Sequence, residues 1–99
     1  MDIKITENES SVLVKVSGDI EMMTIKDFKD QLLLLGKDSD KDIELDMGDV
    51  NYIDSSGVGV LISLLKLQKK KDKSVTITEV SDKVLNVLKL SSLADVFDL

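Results

Sequence analysis

The segment best suited to carry chemistry is a run of small and hydroxyl residues, Asp54-Ser55-Ser56-Gly57-Val58-Gly59, at the start of a strongly apolar stretch. A helix N-terminus presents unpaired N–H groups and a partial positive charge, so a serine hydroxyl placed there can carry a phosphate favourably. Gly57 and Gly59 would leave the backbone approachable by a partner. The same residues fit ordinary capping by Asp54 or Ser55, with the glycines permitting close helix–sheet packing. Local physics alone slightly favours this second interpretation.

The amino-acid composition excludes most kinds of catalytic and metal site. The chain has 99 residues and contains no His, Cys, Trp, Pro or Arg, so its 13 cationic residues are all Lys. Without His and Cys, the commonest general base, the thiol nucleophile and the usual transition-metal ligands are absent. A Ser–Lys pair is formally possible, but nothing in the sequence puts a buried Lys beside Ser55. We therefore expect no enzymatic activity, no cofactor and no bound metal.

Charge and hydropathy narrow the class of partner. A net charge of −6, with one Tyr and two Phe, disfavours nucleic acid. The longest strongly apolar stretch, Val58 to Leu65, is far shorter than the ~20 residues of a membrane-spanning helix. Residues 1–4 show no signal-peptide pattern, so we expect a cytoplasmic protein without a membrane partner. The basic run Lys69–Lys73 is interpreted as a solvated helix end rather than as an anion or membrane patch.

Strands and helices that would position the serines follow from periodicity and turn residues. Alternating apolar residues predict four strands, the first two joined as a hairpin: residues 3–5, 12–16, 43–47 and 74–78. Helical spacing predicts a first helix capped by Thr24 and ending at Gly36. A second helix should begin near Ser55, and Ser81 or Asp82 should cap a third.

The order of these elements indicates an α/β fold in one domain spanning residues 1–99. Val96-Phe97 is a candidate for a last short strand. We expect a mixed sheet of four to five strands, an N-terminal hairpin followed by β-α alternation, packed with about three to four helices. The alternation after the hairpin predicts parallel pairing with right-handed crossovers.

The serine-containing segment and its flanks resemble the core of a STAS domain (sulfate transporter and anti-sigma factor antagonist). The matching stretches, in order, are 16–21, 45–50, 52–61, 75–77 and 88–97. They cover essentially the whole chain and are most similar to the stand-alone bacterial anti-sigma factor antagonists. The resemblance therefore implies a STAS-like fold and a regulatory role.

This resemblance implies a partner-switching mechanism in which the chemistry is done by other proteins. The unphosphorylated form would bind an anti-sigma factor, which is also a serine kinase of the histidine-kinase ATPase fold, and so release the sigma factor. The kinase would phosphorylate Ser55, with Ser56 as the second choice, and binding would cease. A PP2C-type serine phosphatase would restore the binding form. The free protein is expected to be a monomer.

The resemblance also implies a set of partner-binding residues around the phosphorylated serine: Asp19, Glu21, Asp54, Ser55, Ser56, Gly57, Val58 and Gly59. Glu21 stands where the family usually has Asp, and Ser92 where it commonly has Gly. A phosphate adds about −1.5 to −2 charges at pH 7. With Asp19, Glu21, Asp49 and Asp54 expected nearby, we predict that phosphorylation blocks the interface rather than unfolding the protein.

Three other functions compete with this one. The first alternative is a phosphorylatable STAS-type module in a signalling circuit that involves no sigma factor. The second is an enzyme with Ser55 as nucleophile, for which the chain offers no placed base. The third is a passive ligand-binding STAS module, which the shortage of aromatic residues disfavours.

Overall fold

A computed structural model describes residues 1–99 as a four-stranded sheet with three helices. The elements are β1 (Asp2–Glu7), β2 (Ser11–Ser17), α1 (Ile25–Asp38), β3 (Asp42–Asp49), α2 (Ser55–Lys70), β4 (Val75–Val80) and α3 (Asp82–Leu90). The strand order is β1-β2-β3-β4, in which β1 and β2 are antiparallel and the other two pairs are parallel. The predicted α/β class and mixed sheet are confirmed.

The core lies against one face of the sheet because the apolar residues alternate along the strands. Every second residue of β2 and β3 is buried, and α1, α2 and α3 add their own apolar stripes to the same cluster. The opposite face carries polar side chains such as Lys15, Glu44 and Thr76. No helix is long and apolar enough to cross a lipid bilayer.

Helix α1 continues two residues beyond its predicted end. Gly36 lies inside α1 and is buried, because the absence of a side chain lets α2 pack directly against it. A Cβ atom at Gly36 would stand 2.9 Å from Leu64 Cδ1 and 3.1 Å from Leu67 Cδ1. The glycine is therefore a helix–helix contact, and the prediction that it ends the helix is wrong.

The predicted last strand at Val96-Phe97 is also wrong. Residues 91–99 form consecutive turns, in which the Phe97 N–H donates to the Leu93 carbonyl (3.2 Å) and the Leu99 N–H donates to the Ala94 carbonyl (2.8 Å). These local hydrogen bonds use backbone groups that strand pairing would need. Phe97 is buried and Val96 is exposed, so the alternation reflects one anchoring side chain rather than a fifth strand.

Candidate functional site

The two loops that follow β2 and β3 are joined at the carboxyl ends of these strands. Ile20 forms an isolated parallel bridge with Ile53. The Ile20 N–H donates to the Tyr52 carbonyl (2.8 Å), and the Asp54 N–H donates to the Ile20 carbonyl (3.0 Å). Ile20 and Ile53 are fully buried, so they anchor both loops to the core. The loop before α1 and the loop before α2 thus form one surface.

Thr24 holds the first loop but does not cap α1 through its side chain. Its hydroxyl donates to the Asp19 carbonyl (2.7 Å) and accepts from the Glu21 N–H (3.1 Å), and α1 begins at the next residue without a side-chain cap. The predicted position of the cap is right, but its bonding differs because the hydroxyl is used to tighten the turn of residues 19–24.

Asp54 is the N-cap of α2, as one of the two predicted alternatives had it. Its carboxylate Oδ1 accepts from the N–H groups of Ser56 (2.9 Å) and Gly57 (3.2 Å), two of the donors that a helix start leaves unpaired. The Ser56 hydroxyl donates to the same oxygen at 2.5 Å. The predicted start of this helix near Ser55 is therefore confirmed.

The two serines occupy different environments. Ser55 is exposed as the first residue of α2, and its hydroxyl has no hydrogen-bond partner within the protein. Ser56 is half-buried, and its hydroxyl is engaged with the Asp54 carboxylate. Only the Ser55 hydroxyl is both free and accessible to another protein.

The glycines of the segment also differ. Gly57 is buried against the bridge between the loops, where an added Cβ would stand 2.6 Å from both Ile20 Cγ2 and Ile53 Cγ1. The expectation of an approachable backbone at Gly57 is therefore wrong, because the missing side chain is used for packing. Gly59 is exposed, and a Cβ added there would meet no atom within 4 Å. Val58, between them, is buried in the core.

The residues predicted to contact a partner thus divide by exposure. Asp19, Ser55 and Gly59 are exposed, and Glu21, Asp54 and Ser56 are half-buried, whereas Gly57 and Val58 lie inside. Asp49, also expected near the site, is exposed at the end of β3, where its carbonyl accepts from the Gly18 N–H (3.1 Å). An acidic rim, which we define as Asp19, Glu21, Asp49 and Asp54, borders the loops before α1 and α2.

Sequence reasoning missed three exposed apolar side chains of these loops. Met22, Met23 and Tyr52 are 79%, 88% and 51% exposed. The bridge between Ile20 and Ile53 places both methionines and the tyrosine on neighbouring backbone segments. Methionine and tyrosine are enriched at protein interfaces, so we call these three residues the apolar patch. Two consecutive methionines just before the Thr24 turn were the available signal.

Hydrogen bonding shifts the ionisation of Asp54. The Ser56 hydroxyl holds the pKa of the Asp54 carboxyl below its ordinary value of 3.8, against the opposing effect of burial. The backbone N–H groups of Gly57, Ser56 and Met22 lower this pKa further. The carboxylate is therefore the form that fits the start of α2.

This pKa predicts how stability depends on pH. Because the folded-state pKa is depressed, the Asp54 carboxylate stabilises the protein above the unfolded-state pKa, and that contribution is lost as the pH falls through the folded-state pKa. Asp54→Asn keeps a good N-cap but removes the charge. We expect it to be less stable than the wild type at pH 7, with the difference vanishing at the acid end of the titration.

Urea unfolding followed by circular dichroism between pH 2 and 7 measures this difference. Asp40→Asn is the matched control, since Asp40 is exposed and its carboxylate makes no hydrogen bond or ion pair. The control should follow the wild type throughout. A stability difference for Asp54→Asn that is equally large at every pH would contradict the assignment of charge to the cap.

No group of three or more His, Cys, Asp or Glu side chains is arranged to hold a metal ion. The arrangement instead offers a free hydroxyl at a helix start, an acidic rim and an apolar patch.

A family model described as Mlab, STAS domain matches residues 3–98. The chain belongs to the STAS domain family. The sequence resemblance to this family is thereby confirmed.

Relatives of this STAS domain carry regulatory names. An anti-sigma-B factor antagonist of Staphylococcus aureus (strain NCTC 8325 / PS 47) is 28% identical over 95 residues, which are 96% of this chain and 88% of the relative. The anti-sigma-B factor antagonist of Bacillus subtilis (strain 168) is 24% identical over 99 residues, which are 100% of this chain and 90% of the relative.

Solved structures share the fold of this STAS domain. The anti-sigma factor antagonist SpoIIAA in its unphosphorylated form superposes with a TM-score of 0.83 at 14% identity, covering 95% of this chain and 84% of that chain. An anti-sigma factor antagonist from Mycobacterium paratuberculosis gives a TM-score of 0.82 at 19% identity, covering 97% and 81%. At these identities the likeness concerns the fold alone.

Proposed function

We propose that this STAS domain is an anti-sigma factor antagonist that is switched off by phosphorylation of Ser55. The observation that carries the proposal is the contrast between the serines: the Ser55 hydroxyl is exposed and unpartnered, while that of Ser56 is bound to Asp54. The names of the relatives, anti-sigma-B factor antagonists, support the class of function. The domain acts by binding, without catalysis of its own, and we expect it in the cytoplasm.

The position of Ser55 explains how a phosphate is accommodated. The residue lies at the start of α2, where the helix dipole favours negative charge by ~0.3–1 kcal/mol. The fold therefore tolerates the added charge. The surface around it already carries Asp19, Glu21 and Asp54, so phosphorylation concentrates negative charge beside the place where a partner docks.

The apolar patch is the binding surface in this proposal. The exposed side chains of Met22, Met23 and Tyr52 can be removed from water in a complex. The acidic rim favours a partner whose facing surface is positively charged. We propose that the partner is an anti-sigma factor that is also a serine kinase of the histidine-kinase ATPase fold. A PP2C-type serine phosphatase reverses the modification, and the free domain is a monomer.

Phosphorylation by the cognate kinase tests the assignment. The purified protein is incubated with ATP and candidate anti-sigma factor kinases from its own organism, and its intact mass is measured. The wild type and Ser56→Ala should each gain one phosphoryl group, whereas Ser55→Ala should gain none. Phosphorylation of Ser55→Ala but not of Ser56→Ala would move the site to Ser56 and contradict the proposal.

Co-purification of the proteins bound to the kinase shows whether the signalling circuit includes a sigma factor. If the captured kinase also holds a sigma factor, and the unphosphorylated domain displaces it, the anti-sigma antagonist function is supported. A kinase that modifies Ser55 but has no affinity for any sigma factor would instead indicate a STAS-type module in a circuit without one.

A further inference from the structure

A second surface lies at the other end of α2. Its C-terminal half, the start of β4 and the turns after α3 border an open groove of about 510 Å³. The apolar lining consists of Ile62 and Leu65 from α2, Val75 from β4, and Leu93 and Val96 from the turns. Three separate segments thus converge on one apolar floor, of which the Val96 side chain is 56% exposed.

The charged residues that line this groove are all positive. Lys66, Lys69 and Lys73 contribute to its wall, no acidic residue does, and none of the three lysines forms an ion pair. Lys73 lies close enough to Asp42 to act on that carboxyl, which leaves Lys66 and Lys69 as the freer ammonium groups. The charge of the groove is thus opposite in sign to the net charge of the protein, which is −6.

The sequence pattern of the basic run is explained only in part by the helix dipole. Lys69 and Lys70 lie in the last turn of α2, where cations are favourable. Lys66 precedes that turn, yet it lines the same groove as Lys69, one turn away on the same helix face. In the structure, only some of the lysines in this region line the groove. The sequence alone does not distinguish them from the others.

The shape and charge of the groove favour a small anionic ligand with an apolar part. Small-molecule sites are mostly apolar clefts of about 300–1,000 Å³ with a few placed polar groups, and this groove falls in that range. A stable protein interface needs about 800 Å² and some 20–30 residues on each side, far more than the nine residues lining the groove. We propose that the groove binds an anionic amphiphile, a fatty-acid-like molecule whose chain lies on the apolar floor and whose acidic head group meets Lys66 and Lys69.

This site is separate from the phosphorylation site. Lys69 follows Ser55 by 14 positions of α2, which at 1.5 Å per residue is roughly 21 Å along the helix axis. The proposal therefore does not depend on the function assigned to Ser55. Ser55→Ala should retain full binding at the groove, so the failure of either proposal can be told from the failure of the other.

Titration with sodium dodecanoate below its micelle concentration tests the site. Nuclear magnetic resonance of the ¹⁵N-labelled protein should show one saturable site, with amide shifts concentrated at residues 62–75 and 93–96. Dodecyltrimethylammonium, which has the same chain and the opposite charge, should bind at least about ten-fold more weakly, since it meets the same ammonium groups. Equal binding of the two amphiphiles, or shifts centred elsewhere, would overturn the proposal.

Paired variants separate the head-group and chain contributions. Lys66→Glu/Lys69→Glu should weaken dodecanoate binding by roughly ten-fold or more, whereas Lys70→Glu, on the same helix end but outside the lining, should change it little. Val96→Glu should block the groove, whereas Leu90→Glu, at an 88% exposed position outside it, should not. Circular dichroism confirms folding of each variant. Binding of an acidic peptide in place of dodecanoate would contradict the small-molecule assignment.

Discussion

Gly57→Ala is expected to lower the free energy of unfolding by about 1–2 kcal/mol. The added Cβ would stand 2.6 Å from Ile20 Cγ2 and Ile53 Cγ1, which is closer than non-bonded carbon atoms approach each other in proteins. Both isoleucines are fully buried, so neither can move aside without disturbing the core. Overpacking of this kind costs ~1–3 kcal/mol, and the better helix propensity of alanine returns up to ~1 kcal/mol of that loss.

Gly59→Ala is the matched control, because it makes the same chemical change two residues later in α2. A Cβ at Gly59 would meet no atom within 4 Å, and the position is exposed. Only the effect of helix propensity remains, so we expect the free energy of unfolding of Gly59→Ala to rise by about 0.5–1 kcal/mol. Urea unfolding followed by circular dichroism measures both variants. Equal effects of the two substitutions, in either direction, would contradict the packing described for Gly57.

The packing at Gly57 has a functional consequence. Close approach of α2 to Ile20 and Ile53 brings the helix start down onto the bridge between the two loops. Ser55, the first residue of this helix, is exposed, as are Met22 and Tyr52 on the two bridged loops. We therefore expect Gly57→Ala to weaken partner binding as well as stability, whereas Gly59→Ala, at an exposed position of the same helix, tests contact with the partner directly.

Features governed by local chemistry were predictable from the sequence. The start of α2 follows from the capping chemistry of Asp54, whose carboxylate bonds to N–H groups only two and three residues away. The strands β2 and β3 follow from strict alternation of apolar residues, because one face of the sheet is buried. These signals need no information about distant parts of the chain.

Features governed by distant contacts were not predictable. Gly36 fits a helix end equally well by local criteria, and only the approach of Leu64 from α2 makes it an interior packing position. Val96-Phe97 is a different case, because its turns are held by local hydrogen bonds within residues 91–99, and apolar character alone does not distinguish such turns from a strand. The adjacent residues Met22 and Met23 were a signal in the sequence, but only the structure shows that both are exposed while Ile20 occupies the interior.

The same distinction applies to the two serines of the site. In the sequence, Ser55 and Ser56 are both hydroxyl residues in the first turn of a helix. Family position favours Ser55 as the phosphorylated residue, and the deeper position of Ser56 predicts that its hydroxyl bonds locally. The structure agrees with this local role and supplies the partner, because the Ser56 hydroxyl donates to Asp54 and contributes to keeping that carboxyl ionised. Ser56 thus has a role in the cap, and its availability for modification is correspondingly reduced.

Ser55→Asp is expected to weaken binding of the anti-sigma factor by at least about ten-fold while leaving the fold intact. The added carboxylate lies at the positive end of α2, where it is neutral or stabilising by ~0.3–1 kcal/mol. It also joins Asp19, Glu21 and Asp54 on the proposed docking surface, and a partner selected to complement the unmodified surface then meets an extra desolvated charge. A phosphate, with more charge and more bulk, should have a larger effect than this substitution.

Ser10→Asp provides the control for charge alone. Ser10 is exposed in the hairpin between β1 and β2, at the end of β2 opposite to the site and about 20 Å from it along the strand. It should bind the partner as the wild type does. Calorimetric titration and circular dichroism of the two variants separate the possible outcomes. Loss of helical signal in Ser55→Asp would show that charge at this position unfolds α2, and unchanged binding would show that the partner docks elsewhere; either result would contradict a switch that works by blocking the interface.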